Sequence, residues 1–216
     1  MSLPPPKALL FDLGGVIVDI DFGRAIAAWA PYSALQPDEL RQSFKHDDQY
    51  NRHERGEISA NEYFEHLATT LQLTATVEQI EHGWNAIFVG EILETRRLVD
   101  SMRGVLPCYA FTNTNASHMA TWSRLYPGVV GAFDRIFASH QLGLRKPERK
   151  AFDQICILTG LPAESILFFD DLAENVRAAE DAGLLTLPSI DVVLSHSVTR
   201  LSVPGPRASF LRTSSG

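Results

Sequence analysis

Five short apolar runs, each closing on polar side chains and most of them separated by helical patterns, constrain this chain more than any other feature. They are Ala8–Leu13, Val105–Thr112, Arg135–Ser139, Ser165–Asp170 and Leu184–Pro188. Each is too short for a core helix and rich in Phe, Ile, Val and Leu. Continuous apolar character without alternation suits strands of a parallel sheet covered on both faces. Helical patterns lie between the later runs. Glu91–Met102 ends near Gly104, a helix opened by Pro147 runs to about Thr159 ahead of Gly160, and Ala173–Ala182 stops at Gly183. Proline at a helix start and glycine past its end are the expected punctuation. The alternation predicts right-handed crossovers and an α/β, doubly wound (Rossmann-like) parallel sheet.

Residues 21–90 break that rhythm. They contain no convincing strand but several helical segments, one opening Ser59-Ala60-Asn61-Glu62 in a capping-box pattern. The expected organisation is therefore a core from 1–20 and 91–200, with 21–90 inserted as a helical cap over the strand ends. The Ser-, Pro- and Arg-rich end, 201–216, is expected to be disordered.

Composition narrows the function classes. The 216 residues carry 19 Lys and Arg against 26 Asp and Glu, a formal charge of -7, with no basic run to serve a nucleic-acid partner. Apolar stretches fall short of the ~20 residues that span a bilayer, and no apolar signal segment follows Met1. Cys108 and Cys156 sit inside apolar runs and read as reduced core residues. A cytoplasmic protein is expected, with a small molecule as partner; oligomeric state is not legible.

In an open parallel sheet the ligand crevice lies outside the carboxyl ends of the strands. Those ends carry Asp12-Leu13-Gly14-Gly15, Thr112-Asn113, Lys146-Pro147-Glu148 and Asp170-Asp171. Each alone has a plain reading as a capping or surface residue. Together they place carboxylates, a hydroxyl and an ammonium in one crevice, the set that phosphoryl transfer uses. Paired carboxylates can hold Mg2+, which offsets repulsion between an anionic nucleophile and a phosphate. Asp12 can attack phosphorus to form an acyl-phosphate. Lys146 would balance its charge and Thr112, with Asn113, would bind phosphoryl oxygens. Glycines after Asp12 let the backbone approach the same oxygens.

These residues, in this order, resemble the haloacid dehalogenase superfamily. The four motifs are Phe11-Asp12-Leu13-Gly14-Gly15-Val16-Ile17-Val18, Thr112-Asn113, Lys146-Pro147-Glu148, and Asp170-Asp171 with Asn175. The three separations of 100, 34 and 24 residues suit the subgroup with a helical cap between the first two motifs. Within it the chain looks closest to the bacterial α-D-glucose-1-phosphate phosphatase type, on DLGGVIVDIDF (12–22), HERGEIS (53–59), HGWNAIF (82–88), TNTN (112–115) and GLRKPE (143–148). The resemblance implies a magnesium-dependent hydrolase of a small sugar phosphate. It also implies metal ligation by Asp12, the Gly14 carbonyl, Asp171 and, directly or through water, Asp170. Asn175 reads equally as a structural hydrogen-bonding residue.

Gly14 departs from the pattern. Most phosphatases of the superfamily place there an aspartate that protonates the leaving group, a contribution of roughly 10²–10⁴ in rate. Asp19, Asp21, His53 and Glu57 are the candidates to replace it. Two alternatives stay open: a metal-independent 2-haloacid dehalogenase-type hydrolase, and a catalytically weak protein that binds a metabolite without turnover. The paired aspartates favour the phosphatase.

Overall fold

The computed structural model describes residues 5–187. The expectations for the 201–216 tail, for the core beyond 187 and for the end of the last run at Pro188 lie outside the described residues.

From the N-terminal end come β1 (Ala8–Phe11) and β2 (Val18–Ile20), then five helices: α1 (Phe22–Trp29), α2 (Pro37–Ser43), α3 (Asp48–Glu54), α4 (Ala60–Thr70) and α5 (Val77–Trp84). β3 (Phe88–Glu91) leads back to α6 (Leu93–Met102), β4 (Cys108–Thr112), α7 (Ala116–Leu125) and α8 (Pro127–Val130). β5 (Arg135–Ala138), α9 (Ser139–Leu142), α10 (Arg149–Thr159), β6 (Ile166–Phe169), α11 (Ala173–Asp181) and β7 (Leu185–Thr186) complete the order.

The five apolar runs form one parallel sheet in the order β5-β4-β1-β6-β7, as a doubly wound fold requires. β1 is central, with Leu10 opposite Tyr109 on one side and Phe168 on the other. Successive side chains alternate between faces, and both faces are covered, which explains the unbroken apolar runs. Leu9, Phe11, Cys108 and Phe169 pack with Val99 and Met102 of α6 and Trp122 of α7. Leu10, Phe111, Phe137 and Phe168 pack with Phe152 and Ile155 of α10 and Ala179 of α11.

The helices α1–α5 enclose a separate apolar cluster around Trp29, Tyr63, Phe64 and Trp84. Trp29 donates its indole N–H to the Ile80 carbonyl at 3.0 Å, so this buried aromatic has no unsatisfied polar atom. The capping box forms as expected: the Glu62 N–H donates to Ser59 Oγ at 3.3 Å, and the Ser59 N–H donates to Glu62 Oε2 at 2.8 Å.

Two expectations need correction. Residues 21–90 do contain most of a strand: β3 pairs antiparallel with β2, matching Val18 with Glu91 and Ile20 with Phe88. This ribbon joins the two chain passages between sheet and helices. Pairing Glu91 there also delays α6 to Leu93. The second correction is at Pro147, where the helix starts two residues later, at Arg149. The chain at 145–148 makes a turn instead, closed by the Glu148 N–H on the Arg145 carbonyl at 2.9 Å. Among the described residues no helix is long and apolar enough to cross a membrane. Both cysteines are free, Cys108 buried and Cys156 half-buried.

Candidate active site

Asp12 follows β1, Thr112 ends β4, Lys146 lies beyond β5, and Asp170 and Asp171 follow β6, so the topology carries all of them to one edge of the sheet. There they line a cavity of about 300 Å³, except Asp170, which sits behind its wall. The Lys146 side chain is fully buried and its Nζ stands 2.9 Å from Asp12 Oδ1 and 2.6 Å from Asp170 Oδ2. The Leu13 N–H also donates to Asp12 Oδ1, at 2.7 Å. One oxygen of Asp12 is thus fixed, which sets the direction of the other.

Asp170 is saturated. Its Oδ1 accepts from the Leu172 N–H at 2.9 Å and from Asn175 Nδ2 at 3.0 Å, while Oδ2 accepts from Lys146 and again from Asn175 at 3.0 Å. Those contacts use most of a carboxylate's acceptor sites. Asp170 and Asn175 therefore position the ammonium. Asp171 turns the other way and packs onto Gly15, whose φ of +74° and lack of a Cβ make room for it. Asp12, Asp170 and Asp171 each offer an oxygen within 4.8 Å of the others.

Asn113 uses its side chain on the chain itself. Nδ2 donates to the Lys146 carbonyl at 2.9 Å, and Oδ1 accepts the Lys146 N–H at 2.8 Å. This two-way clamp fixes the loop that carries Lys146, and it accounts for the late start of α10. Thr112 has only a long 3.5 Å contact to the Asn113 carbonyl, so its hydroxyl is available in the cavity it lines.

Burial raises the Asp12 carboxyl to about 7, aided by the Asp170 charge and opposed by Lys146 and the Leu13 N–H. Burial and Asp170 likewise raise Asp171. For Lys146 burial pulls the ammonium down, but Asp12 and Asp170 outweigh it and hold its pKa above the ordinary value. Three carboxylates facing one ammonium leave two negative charges uncompensated, a deficit that one divalent cation with a preference for oxygen ligands removes. The donor set fits Mg2+.

Gly14 lines the cavity, but the space beside it is apolar: a Cβ there would meet Ile20 Cδ1 at 3.1 Å. None of its four candidate replacements lines the cavity. Asp21 caps α1 through the Gly23 N–H at 2.7 Å, Glu57 pairs with Arg55 at 2.5 Å, and Asp19 sits exposed on the ribbon. His53 is buried against Tyr63, with ring centroids 4.5 Å apart. Its neighbour Glu54, within the HERGEIS stretch, does line the cavity and is buried. Arg145 donates to Glu54 Oε2 from Nε at 2.9 Å, and its Nη2 lies 2.9 Å from the same oxygen as an ion pair. Tyr50, His46 and His118 also reach the cavity unannounced. The usable signals were the Arg145-Lys146 adjacency and the helical spacing of His46, Tyr50 and Glu54.

The chain is similar to several known proteins. The chain is 26% identical over 185 residues to D-ribitol-5-phosphate phosphatase of Bacteroides thetaiotaomicron, covering 83% of this chain and 90% of that one. It is 26% identical over 187 residues to a phosphatase of Mycobacterium tuberculosis, covering 82% and 84%. A HAD family enzyme of Bacteroides thetaiotaomicron, crystallised with magnesium and inorganic phosphate, shares the fold with a TM-score of 0.72 at 24% identity over 84% of this chain and 93% of that one. So does the L-2-haloacid dehalogenase of Xanthobacter autotrophicus, with a TM-score of 0.62 at 16% identity over 84% and 76%. The model of haloacid dehalogenase-like hydrolases matches residues 6–183, and the chain belongs to that family.

Proposed function

We propose that this hydrolase is a magnesium-dependent phosphatase of a small phosphomonoester, with Asp12 as nucleophile. The observation that carries the reading is Lys146 Nζ held between Asp12 and Asp170, with Asp171 beside them. Asp12, Asp171 and the Gly14 carbonyl, with Asp170 behind them, would hold magnesium, whose charge offsets repulsion between the carboxylate and the phosphate. Lys146 favours the ionised form of Asp12 and steadies charge on the transferring group, and the Thr112 hydroxyl donates to a phosphoryl oxygen. Asp12 attacks phosphorus, the bond to the leaving oxygen breaks, and an aspartyl-phosphate forms. Water then attacks phosphorus, releasing inorganic phosphate and restoring Asp12.

A sugar or polyol phosphate is the substrate class that the likeness to D-ribitol-5-phosphate phosphatase supports. Gly14 provides no proton to the leaving oxygen, so a good leaving group such as the anomeric oxygen of glucose-1-phosphate suits the site best.

The test is phosphate release from a panel of sugar and polyol phosphates with Mg2+, repeated in EDTA and with Asp12→Asn. Turnover that stops in both is expected. Cleavage of a 2-haloacid that persists in EDTA would establish the dehalogenase instead, and ligand binding without any turnover would establish the non-catalytic reading.

A further inference from the structure

The cavity has a second polar wall, made of side chains other than Asp12, Thr112, Lys146 and Asp171. His46 and Tyr50 stack at 4.0 Å with nearly parallel rings, and Glu54, beside Tyr50, accepts from Arg145 Nε at 2.9 Å with Nη2 2.9 Å from the same oxygen. Glu54 closes α3, whereas Arg145 belongs to the loop that carries Lys146. The same cavity is lined by the apolar Ile20, Phe22, Ile87 and Phe88 and by the polar His118 and Glu174. On the wall of Glu54 and Arg145 a substrate meets one guanidinium and one carboxylate that already cancel.

We infer that the Glu54–Arg145 pair selects the leaving group, admitting an uncharged hydroxylated one and rejecting one that carries its own charge. The inference rests on the phosphatase reading above. Hydroxyl groups can accept from Arg145 and donate to Glu54 while the pair stays intact. A second anion on the leaving group would find Arg145 neutralised and Glu54 repelling it, and a cation would find the reverse. Rejection by an unfavourable charge is a recognised source of specificity. Burial strengthens it here, because the Glu54 side chain is 6% and that of Arg145 18% exposed.

The pair acts through its balance, so removing either charge should shift selectivity in opposite directions. Glycerol 3-phosphate and 3-phosphoglycerate differ at the far end of the leaving group by a hydroxymethyl in place of a carboxylate. Wild type with Mg2+ should prefer the former. Glu54→Gln frees Arg145, and the kcat/KM ratio should move toward 3-phosphoglycerate by about tenfold or more. Arg145→Gln should move it the other way and favour phosphoethanolamine, whose leaving group is cationic. The double variant should lie near the wild-type ratio. Circular dichroism and Tm identify any variant that is not folded, and the opposite sign of the two shifts separates selection from loss of packing. A wild type that hydrolyses no phosphomonoester, 4-nitrophenyl phosphate included, would overturn the phosphatase reading and this inference with it. Wild-type turnover with ratios that do not move, or that move the same way in both variants, would overturn this inference alone.

Discussion

Asp12 and Lys146 show how far a buried site can depart from the chemistry of isolated side chains. The Asp12 carboxyl has a folded pKa of about 7 against 3.8 in the unfolded chain. A raised carboxyl contributes stability that is complete below the unfolded value and is lost as pH rises through the folded one. Metal-free protein should therefore lose stability through Asp12 as pH rises from about 4 to 7. Urea denaturation of wild type against Asp12→Asn reads this directly, and the variant should show the shallower slope. Gly15 makes a second prediction at this scale. Gly15→Ala forces an unfavourable φ, a cost of about 1–2 kcal/mol, and drives a methyl into the Asp171 carboxylate. Gly104→Ala is the control, since Gly104 has φ +76° but open space around it. Both should lower Tm, whereas calorimetric Mg2+ titration should weaken only for Gly15→Ala.

At the scale of elements, α5 and α7 meet at one histidine. His118 stacks on Trp84 at 4.3 Å, its Nε2–H donates to the Trp84 carbonyl at 3.0 Å, and its Nδ1 accepts from Asn115 Nδ2 at 3.1 Å. That arrangement requires the neutral ring, because a second N–H would face the Asn115 amide hydrogens. Burial lowers the His118 pKa to about 3, and burial with His140 lowers that of His53 to about 4. A depressed histidine contributes stability that is present above pH 6.5 and is lost as pH falls toward the folded value. Between pH 7 and 5, His118 alone should cost about 2 kcal/mol. His118→Gln should lower stability at pH 7 yet flatten the acid limb, as thermal melts across pH would show. This contact was not legible in the sequence, because it pairs a residue of the helical insert with one 34 positions later. By contrast β1, β4 and β6 were legible, since burial on both faces leaves a continuous apolar run, and β5 was legible from Ile136-Phe137-Ala138 despite its exposed Arg135. β2 and β3 were not, because Asp19 and Gly90 interrupt them and pairing alone defines them. The same distinction runs through the site. Asp12, Thr112, Lys146 and Asp171 stand at strand ends that topology gathers. Glu54 meets Arg145, 91 residues later, only in the folded chain.

Across the whole molecule, the uncompensated charge at the sheet edge should couple stability to the metal. A ligand that binds only the folded chain adds about 2.7 kcal/mol at a hundred times its dissociation constant. Mg2+ should accordingly raise Tm and EDTA should reverse the shift, in wild type but much less in Asp171→Asn. Such a melt reports metal binding without any assay of turnover. The architecture also separates the groups that line the cavity. Asp12, Thr112 and Asp171 hang from the sheet, and half of the second polar wall hangs from α3. Ile20 and Phe88 are paired neighbours on the ribbon, so residues 21–87 form a cassette whose two ends already touch. Splicing a short turn at that junction would close the ribbon into a hairpin, and splicing a foreign helical cassette would exchange Glu54, Tyr50 and His46 as a group. New substrate preferences can thus be installed at a single junction while Asp12, Lys146 and Asp171 stay where they are.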